Sequence, residues 1–365
     1  MRTARINPGE PADETLVGSV LTRDLSIGGQ RWSKGRRLTI DDLGRLADPP
    51  VPSDGGAPLR IIGRTAAPNG VTVVVLEPGD LHEDEAACRL AQAIAGPSTM
   101  LRGPAESRVD LLAVADGVVH VRIGALERFN RIDPLEAFTL FDGQIVRAGE
   151  LVASVKVAPH VVATELVERG EAVAADGPLF WVAPFQHRRV GVIVKENVVG
   201  AARERFERSV RQKIEGIGSE IVGIDYVEDD PRAVEAAMAA FSRGRGHGRG
   251  RVDLILTAGA ASTDPDDAVF VALGRLRGRI VRRGVPSHPG SMLWLGRIGT
   301  TAVVGLPTCG AYSKATAADL LLPRLLSGDP PTAATVARLG HGGVLNRQMR
   351  FRFPAYALDL EAPEG

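Results

Sequence analysis

The sequence predicts an α/β protein: a three-layer α/β/α domain with a mostly parallel sheet, preceded by a β-rich α+β domain. Two apolar runs, VDLIL (252–256) and TAVVGL (301–306), each break into a loop of small residues followed by a helical pattern. A third run, VGVIV (190–194), is apolar throughout, which is typical of a strand covered on both faces. Open sheets of this kind bind ligands beyond the carboxyl ends of their strands.

The composition is that of an ordinary globular protein of 365 residues, a length that favours two domains. The 44 Lys and Arg residues equal the 44 Asp and Glu residues, so no global field attracts nucleic acid or a membrane surface. Two cysteines, Cys88 and Cys309, exclude a disulfide framework and fit a reducing compartment. We find neither a signal-peptide core nor an apolar run near the ~20 residues of a membrane span. We therefore expect a cytoplasmic protein.

The pattern changes abruptly after Arg188 and Arg189, which predicts a domain boundary near Pro184. The predicted domains are residues 1–184, an α+β domain that becomes β-rich from about residue 109, and residues 185–330, the α/β domain. Residues 331–365 show little pattern and are predicted to be an irregular tail.

In the amino-terminal half, Thr39 is typical of a helix cap, and the Asp-Gly pairs at 116–117 and 142–143 predict hairpin turns. The acidic run Glu83, Asp84 and Glu85 could be a metal or catalytic cluster, but solvated acids at the amino end of a helix are the favoured interpretation. The histidines lack metal-ligand spacing, so no dedicated metal site is predicted.

The carboxyl-terminal half alternates strands and helices. The 190–194 strand is followed by a helix that Gly216 and Gly218 end, and then by the strand SEIVGIDYV (219–227). Asp230 is predicted to cap the next helix, with Pro231 at its first position. The Arg/Gly loop RGRGHGRGR (243–251) is favoured as a flexible surface connection over an RNA-binding arm, because no aromatic residues interleave it.

Three loops at strand ends are the candidate ligand site. The first, AGAASTDPDD (258–267), would present backbone N–H groups and two hydroxyls to a ligand, and Asp264 is predicted to cap the helix that follows. Its acids could equally serve only to stabilise that helix start. The second loop, GVPSHPG (284–290), is stiffened by two prolines. The third, PTCGAYSK (307–314), contains Cys309, which is interpreted as a packed thiol rather than a nucleophile because no histidine adjoins it.

The order of these segments resembles the molybdopterin-binding domain shared by molybdopterin adenylyltransferase, molybdopterin molybdotransferase and gephyrin. The string IGSEIVGIDYVEDDPRAVEAAM resembles the molybdotransferase run of strand, aspartate pair, proline and helix. The likeness is closer to stand-alone molybdopterin-binding proteins associated with molybdenum hydroxylases, whose loops read GASA-x-x-DRRD, MPVDPGN and GAPGCARSPK. The resemblance extends over roughly residues 18–328.

Two departures from these family loops concern anion binding. In the first loop, Asp264 and Asp267 match the family aspartates, but Pro265 and Asp266 stand at its arginines. In the third loop, Thr308 replaces a glycine. These changes remove a phosphate contact and a close backbone approach that the resemblance would otherwise imply. In the second loop, His288 stands at the family aspartate and Ser291 at its asparagine.

The resemblance implies molybdopterin, or its nucleotide form, as the ligand or substrate. The residues that it implies for binding lie in the three loops: Gly259, Ala260, Ala261, Ser262, Thr263, Asp264, Pro286, His288, Pro289, Gly290, Pro307, Thr308, Cys309, Gly310, Ser313 and Lys314. A carboxylate suits the adjacent N–H donors of a pterin, and Asp229, Asp230 or Asp267 could supply it. If the protein is catalytic, these three aspartates are the candidate catalytic residues, and one of them could hold Mg²⁺.

The leading hypothesis is therefore a molybdopterin-binding protein that acts in maturation or delivery of the molybdenum cofactor and serves a molybdenum hydroxylase. The alternative is a Mg²⁺-dependent enzyme of the same domain type, namely an adenylyltransferase, a molybdotransferase or a nucleotide pyrophosphatase. A weaker alternative is RNA binding through the Arg/Gly loop, which the balanced overall charge disfavours. The resemblance also implies a homo-oligomer, and no nucleic-acid or membrane partner is expected.

Overall fold

The computed structural model describes residues 2–53, 55–63, 70–195, 199–244, 250–260, 262–306 and 315–359. The chain divides into two compact units. The amino unit contains Met1–Val114, Val121–Leu140 and Ala148–Trp181, and the carboxyl unit contains Ala115–His120, Phe141–Arg147 and Val182–Gly365. The boundary near Pro184 stays a prediction about independently folding domains. Two short segments that precede it in the chain group with the carboxyl unit.

The amino unit is an α+β structure in which small antiparallel sheets pack with helices. Its strands, numbered along the whole chain, are β1 (Arg2–Ile6), β2 (Val20–Leu21), β3 (Leu25–Ile27), β4 (Gln30–Trp32), β5 (Leu59–Ile61), β6 (Val71–Val75), β7 (Asp80–His82), β8 (Thr99–Ala105), β9 (Arg108–Ala113), β11 (Leu135–Thr139), β13 (Leu151–Val157) and β14 (Val161–Ala163). Its helices are α1 (Ile40–Ala47), α2 (Glu83–Ile94), α3 (Ile123–Asn130) and α4 (Thr164–Val173), with a 3₁₀ turn at Glu14–Leu16. Short strands also precede the region from about residue 109 that was predicted to be β-rich, and the first of them begins at Arg2.

The carboxyl unit contains, wholly or in large part, the remaining elements. Its strands are β10 (Gly117–Val121), β12 (Ile145–Val146), β15 (Phe180–Pro184), β16 (Arg189–Val194), β17 (Glu220–Tyr226), β18 (Leu254–Ala258), β19 (Arg279–Arg283), β20 (Trp294–Ile298) and β21 (Thr301–Leu306). Its helices are α5 (Gly200–Glu215), α6 (Pro231–Arg243), α7 (Ala268–Arg275), α8 (Ala317–Leu326), α9 (Ala333–Arg338) and α10 (Tyr356–Asp359), with a 3₁₀ helix at Arg347–Arg352. The segment predicted to be an irregular tail thus contains short helices. None of the helices in the described ranges is both long and apolar enough to cross a bilayer.

Neither Asp-Gly turn closes a hairpin, so those two predictions are wrong. The strands on the two sides of each turn join different sheets: β9 pairs with β8 and β13, whereas β10 pairs with β12 and lies beside β15. Likewise, β11 pairs with β13 and β12 pairs with β10. An Asp-Gly pair favours only a local reversal of the chain, and burial of the flanking strands decides which partners they take.

The centre of the carboxyl unit is a six-stranded sheet of order β17-β16-β18-β21-β20-β19. The first four strands are parallel, β20 runs against them, and β19 is antiparallel to β20 and so points the same way as the four. The predicted mostly parallel sheet is confirmed. Its strands read as continuous apolar runs because both of its faces are covered.

Helices cover both faces of this sheet, which confirms the predicted three layers. Along β16, Val190, Val192 and Val194 pack on one face with Phe206 of α5 and Leu321 of α8. On the opposite face, Ile193 of β16 packs in a second cluster that includes Met238 of α6, Leu273 of α7 and Trp294 of β20. Alternate residues of one strand thus reach different cores, as the pleat of a strand requires.

The strand register defines one edge of the sheet, hereafter the carboxyl edge. Tyr226, Val194, Ala258 and Leu306, which lie at the ends of β17, β16, β18 and β21, stand side by side across the sheet. Beyond them, Gly305 is paired with Trp294, which is paired with Arg283 at the end of β19. The strands that precede the three predicted loops therefore all end at this edge.

Candidate functional site

The strand order reverses between β16 and β18, since the chain passes from β16 outward to β17 and then back to β18. Open α/β sheets bind ligands at such a switch point, in the crevice beyond the carboxyl ends of the strands. Lys195 follows β16 here, and the first predicted loop follows β18. The backbone N–H of Lys195 donates to the Ala258 carbonyl oxygen at 3.1 Å, so the two strand exits are joined.

A lysine bridges two aspartates at this switch point. The Nζ of Lys195 lies 2.6 Å from Oδ2 of Asp267 and 3.0 Å from Oδ1 of Asp229. The side chains of Lys195 and Asp267 are 6% and 2% exposed, whereas Asp229 is 65% exposed. Burial acts to lower the pKa of Lys195, but hydrogen bonds and charge from Asp267 and Asp229 outweigh it and raise that pKa above its usual value. The lysine is therefore a fixed positive charge between the buried carboxylate of Asp267 and the exposed carboxylate of Asp229.

Asp267, a predicted catalytic residue, is also the cap of α7. Its Oδ1 accepts a hydrogen bond from the Val269 N–H at 2.9 Å. The predicted cap was Asp264, so the helix begins three residues later than expected. The physical reason is that Oδ1 of Asp264 accepts from the Asp266 N–H at 2.9 Å, closing a turn of its own before the helix.

The other two predicted catalytic aspartates have different environments. Oδ2 of Asp230 accepts from the N–H groups of Arg232 and Ala233 at 2.9 and 3.0 Å, which confirms it as the cap of α6. Asp229 is the exposed member of the lysine cluster. Because its position is fixed by Lys195 while most of its surface remains accessible, Asp229 is the carboxylate best placed to meet a ligand.

The first loop begins at Gly259, whose φ of 89° lies in the region that favours glycine. Gly259, Ala260 and Ser262 are half-buried, Thr263 and Asp264 are exposed, and Ala261 lies outside the described residues. The Ser262 carbonyl oxygen accepts from Nη1 of Arg283 at 3.3 Å. An arginine from β19 therefore reaches this loop, a contact that its distance along the chain concealed.

The second loop is held by backbone hydrogen bonds. His288 donates its N–H to Gly343 at 2.7 Å and accepts from the Leu345 N–H at 2.8 Å, and Pro289 accepts from the Ala317 N–H at 3.0 Å. Gly290 has a φ of 104°, and a Cβ there would meet the Ala317 nitrogen at 2.8 Å. Pro286 and the His288 side chain are exposed. The loop is thereby fixed against the first turn of α8.

The third loop falls on residues that the structure does not describe. These predicted binding residues are Pro307, Thr308, Cys309, Gly310, Ser313 and Lys314, and they remain predictions. The flanks are described: β21 ends at Leu306, and α8 begins at Ala317 with a capping box between Thr316 and Asp319. Because Pro289 accepts a hydrogen bond from the Ala317 N–H, the second loop adjoins the start of α8.

Sequence reasoning missed Lys195 and Arg283. A signal for Lys195 was present, since it is the first polar residue after the fully apolar strand 190–194. For Arg283 the only signal was its place at the end of a strand. Both residues are cationic: Lys195 lies between Asp229 and Asp267 at the switch point, and Arg283 lies at the end of β19.

The acidic run in the amino unit is not a solvated patch as a whole. Glu83 is 5% exposed, and its Oε1 lies 2.9 Å from Nδ1 of His160. Asp84 accepts from the Ser107 N–H at 3.2 Å, and Glu85 pairs with Arg37 at 3.4 Å. The interpretation as solvated acids is thus wrong for Glu83, because the fold buries the first residue of α2. Within the described ranges no cluster of three or more His, Cys, Asp or Glu residues could hold a metal.

No curated protein sequence that was compared matches the chain. Among solved structures, similar chains include the molybdopterin biosynthesis MoeA protein of Pyrococcus horikoshii (15% identity, 68% of this chain, 81% of that chain, TM-score 0.30) and the molybdopterin biosynthesis enzyme MoaB of Thermus thermophilus (21%, 39%, 98%, 0.29). A molybdenum cofactor biosynthesis protein B is also similar (13%, 48%, 96%, 0.27). Residues 191–327, which include the switch point and all three loops, match the family described as a probable molybdopterin binding domain.

Proposed function

We propose that this protein binds molybdopterin at the carboxyl edge of the six-stranded sheet and acts in maturation or delivery of the molybdenum cofactor. One observation carries the proposal: the family match over residues 191–327 coincides with the carboxyl ends of parallel strands at a switch point. The service of a molybdenum hydroxylase, and assembly into a homo-oligomer, are proposed from the sequence resemblance alone.

Asp229 is proposed to bind the pterin. A carboxylate offers two acceptor oxygens, which suits the adjacent N–H donors on the amidine-like edge of a pterin. Lys195 contacts Oδ1 of Asp229 and orients the group, while the 65% exposure leaves it open to a ligand. Asp230 shares the same loop, but its Oδ2 is already used by two backbone N–H groups of α6. Asp229 is therefore the stronger candidate.

The first loop is proposed to lie against the phosphate of the ligand. Gly259 and Ala260 allow a close approach to the backbone, and Ser262 and Thr263 add hydroxyl donors. The N-terminus of α7 is a weaker anion site than the sequence suggested, because Asp267 already occupies it and accepts the Val269 N–H. The hydroxyls and loop backbone therefore contribute more than the helix dipole does.

The described aspartates do not fit Mg²⁺ as they are arranged. A magnesium ion held between Asp229 and Asp267 would have to displace Lys195, whose ammonium group already lies within 3.0 Å of both carboxylates. The other oxygen of Asp267 is used by the Val269 N–H. A Mg²⁺-dependent transfer is therefore less well supported than binding. Of the Arg/Gly loop (243–251) on which the RNA hypothesis depends, residues 245–249 lie outside the described residues.

Anaerobic titration calorimetry with molybdopterin tests the proposal. We expect wild-type protein to bind with a Kd in the micromolar range or below. Asp229→Asn should weaken binding by about 10-fold or more, since a hydrogen bond to a charged group contributes about 1.5–3 kcal/mol. Asp41→Asn, an exposed aspartate in the amino unit, is the matched control and should leave the Kd unchanged.

Two outcomes would count against this function. Wild-type protein that shows no heat of binding with molybdopterin would remove the basis of the proposal. Alternatively, Mg²⁺-dependent release of AMP or pyrophosphate by the wild type, abolished in Asp267→Asn, would favour the enzyme hypothesis over delivery.

A further inference from the structure

Arg283 stands at the carboxyl edge although it belongs to an edge strand. It is the last residue of β19, and its register partner is Trp294 of β20. Trp294 pairs in turn with Gly305 of β21, next to the start of the third loop. Among the described residues Arg283 forms no ion pair, and it is exposed. This cationic side chain thus lies beside the site, and no carboxylate in the described part of the chain forms an ion pair with it.

Two contacts fix the direction of this guanidinium group. Its Nη1 donates to the Ser262 carbonyl oxygen at 3.3 Å, and its Cζ lies 4.1 Å from the centroid of the Phe270 ring. Phe270 is 7% exposed in the first turn of α7, so the ring is a rigid support. Because a guanidinium group has five N–H donors, the bond to Ser262 leaves donors for a further acceptor.

The first loop needs a positive charge from elsewhere if it is to hold a phosphate. Residues 262–267 contain three aspartates and no basic residue, and Pro265 and Asp266 stand where the resembled loops carry arginines. Lys195 already forms ion pairs with Asp267 and Asp229. Arg283 is the arginine that touches this loop, and a planar guanidinium group suits phosphate oxygens in a two-point contact.

We infer that Arg283 is a phosphate-binding residue of this site, supplying from β19 the positive charge that the first loop lacks. The inference rests on the proposed function and deepens it, because it orients the ligand. The phosphate lies toward β19 and Ser262, and the pterin lies toward Asp229 at the switch point. The ligand is thereby a phosphorylated pterin rather than a pterin without phosphate.

Binding of molybdopterin and of its dephosphorylated form to four proteins tests this inference: wild type, Arg283→Ala, Arg283→Lys and Arg279→Ala. Arg279 is the matched control, since it is an exposed arginine on the same strand, about 13 Å away at the opposite end. We expect Arg283→Ala to raise the Kd for molybdopterin by about 10- to 100-fold and the Kd for the dephosphorylated form by less than about twofold. Arg283→Lys should fall between these values because it keeps the charge but loses the two-point contact.

The outcomes separate the inference from the function on which it rests. If wild type and Arg283→Ala bind molybdopterin equally well, or if Arg279→Ala weakens binding as much, the inference is overturned while the proposed function stands. If wild type binds neither pterin, the proposed function itself fails. Circular dichroism and thermal unfolding of each variant confirm that the exposed substitutions leave the fold intact.

Discussion

Lys213 and Lys195 both contact aspartates in the carboxyl unit, but their surroundings differ. Lys213 of α5 and its partner Asp319 of α8 are both fully buried, and Tyr356 donates its hydroxyl to the same Oδ1 of Asp319 at 3.0 Å. The second oxygen of Asp319 accepts the Thr316 N–H at 2.8 Å and so completes the cap of α8. This cluster joins α5, α8 and Tyr356 of α10.

Lys195 has one buried partner, Asp267, and one exposed partner, Asp229. Its cluster lies at the carboxyl edge, where the strand order reverses, rather than between two helices. The comparison shows that the lysine–aspartate cluster at the strand ends keeps one carboxylate exposed, that of Asp229, whereas the cluster between α5 and α8 is fully buried. Three experiments test this difference between the two lysine clusters.

The largest effect is expected from Lys213→Met. Removing one partner of a sealed pair leaves the Asp319 carboxylate buried without its counter-charge, which should lower the free energy of unfolding by about 3–5 kcal/mol. Urea denaturation, monitored by circular dichroism, measures this free energy of unfolding. Lys34→Met, at an exposed lysine, is the control and should change the value by less than about 0.5 kcal/mol. A Lys213→Met protein as stable as wild type would show that the sealed pair has no structural role.

A smaller loss of stability, about 2 kcal/mol, is expected from Lys195→Met. Without Lys195, water can hydrate Asp229, and Asp267 still accepts a hydrogen bond from the Val269 N–H. The buried negative charge is therefore better compensated than that of Asp319 in the Lys213→Met variant. The variant should also gain affinity for a divalent cation, because two carboxylates lose the ammonium group that separated them. Electron paramagnetic resonance of Mn²⁺ measures this gain, with Lys213→Met as the control that should bind none. Equal Mn²⁺ binding by wild type and Lys195→Met would contradict the idea that Lys195 takes the place of a metal.

The smallest effect is a dependence on pH. The pKa of Lys195 is raised in the folded state, so its contribution to stability is complete below the unfolded lysine value of about 10.4 and declines as the pH rises through the folded pKa. The difference in unfolding free energy between wild type and Lys195→Met should therefore be constant from pH 7 to about 10 and shrink above it. Urea titrations at a series of pH values measure this free-energy difference. A difference that grows as the pH rises would contradict the prediction.

Much of the fold followed from local patterns. The apolar runs at 190–194, 252–256 and 301–306 were expected as strands of a parallel sheet. They contribute to β16, β18 and β21, which are neighbouring strands of the six-stranded sheet. Thr39 and Asp230 were expected as caps and are caps. Such features could be predicted because helix caps, and strands buried on both faces, are specified by a few consecutive residues.

The candidate site was predicted only in part. The strand ends that carry it were expected, since loops that follow parallel strands leave a sheet at the same edge. The hairpins at 116–117 and 142–143 were not formed, because strand partners are chosen by burial rather than by turn residues. The cap of α7 is Asp267 rather than Asp264, because Asp264 accepts the Asp266 N–H and closes a separate turn before the helix.

The alternation of strands and helices, and the residues at which the strands end, follow from local patterns in the sequence. The charges that meet at those strand ends depend on the fold, since Lys195 and Asp267 are 72 residues apart and Arg283 and Ser262 are 21 apart. Apolar periodicity is a local property of the chain, whereas contacts between strand ends depend on strand order and register. Strand order and register are fixed only when both faces of the sheet are buried.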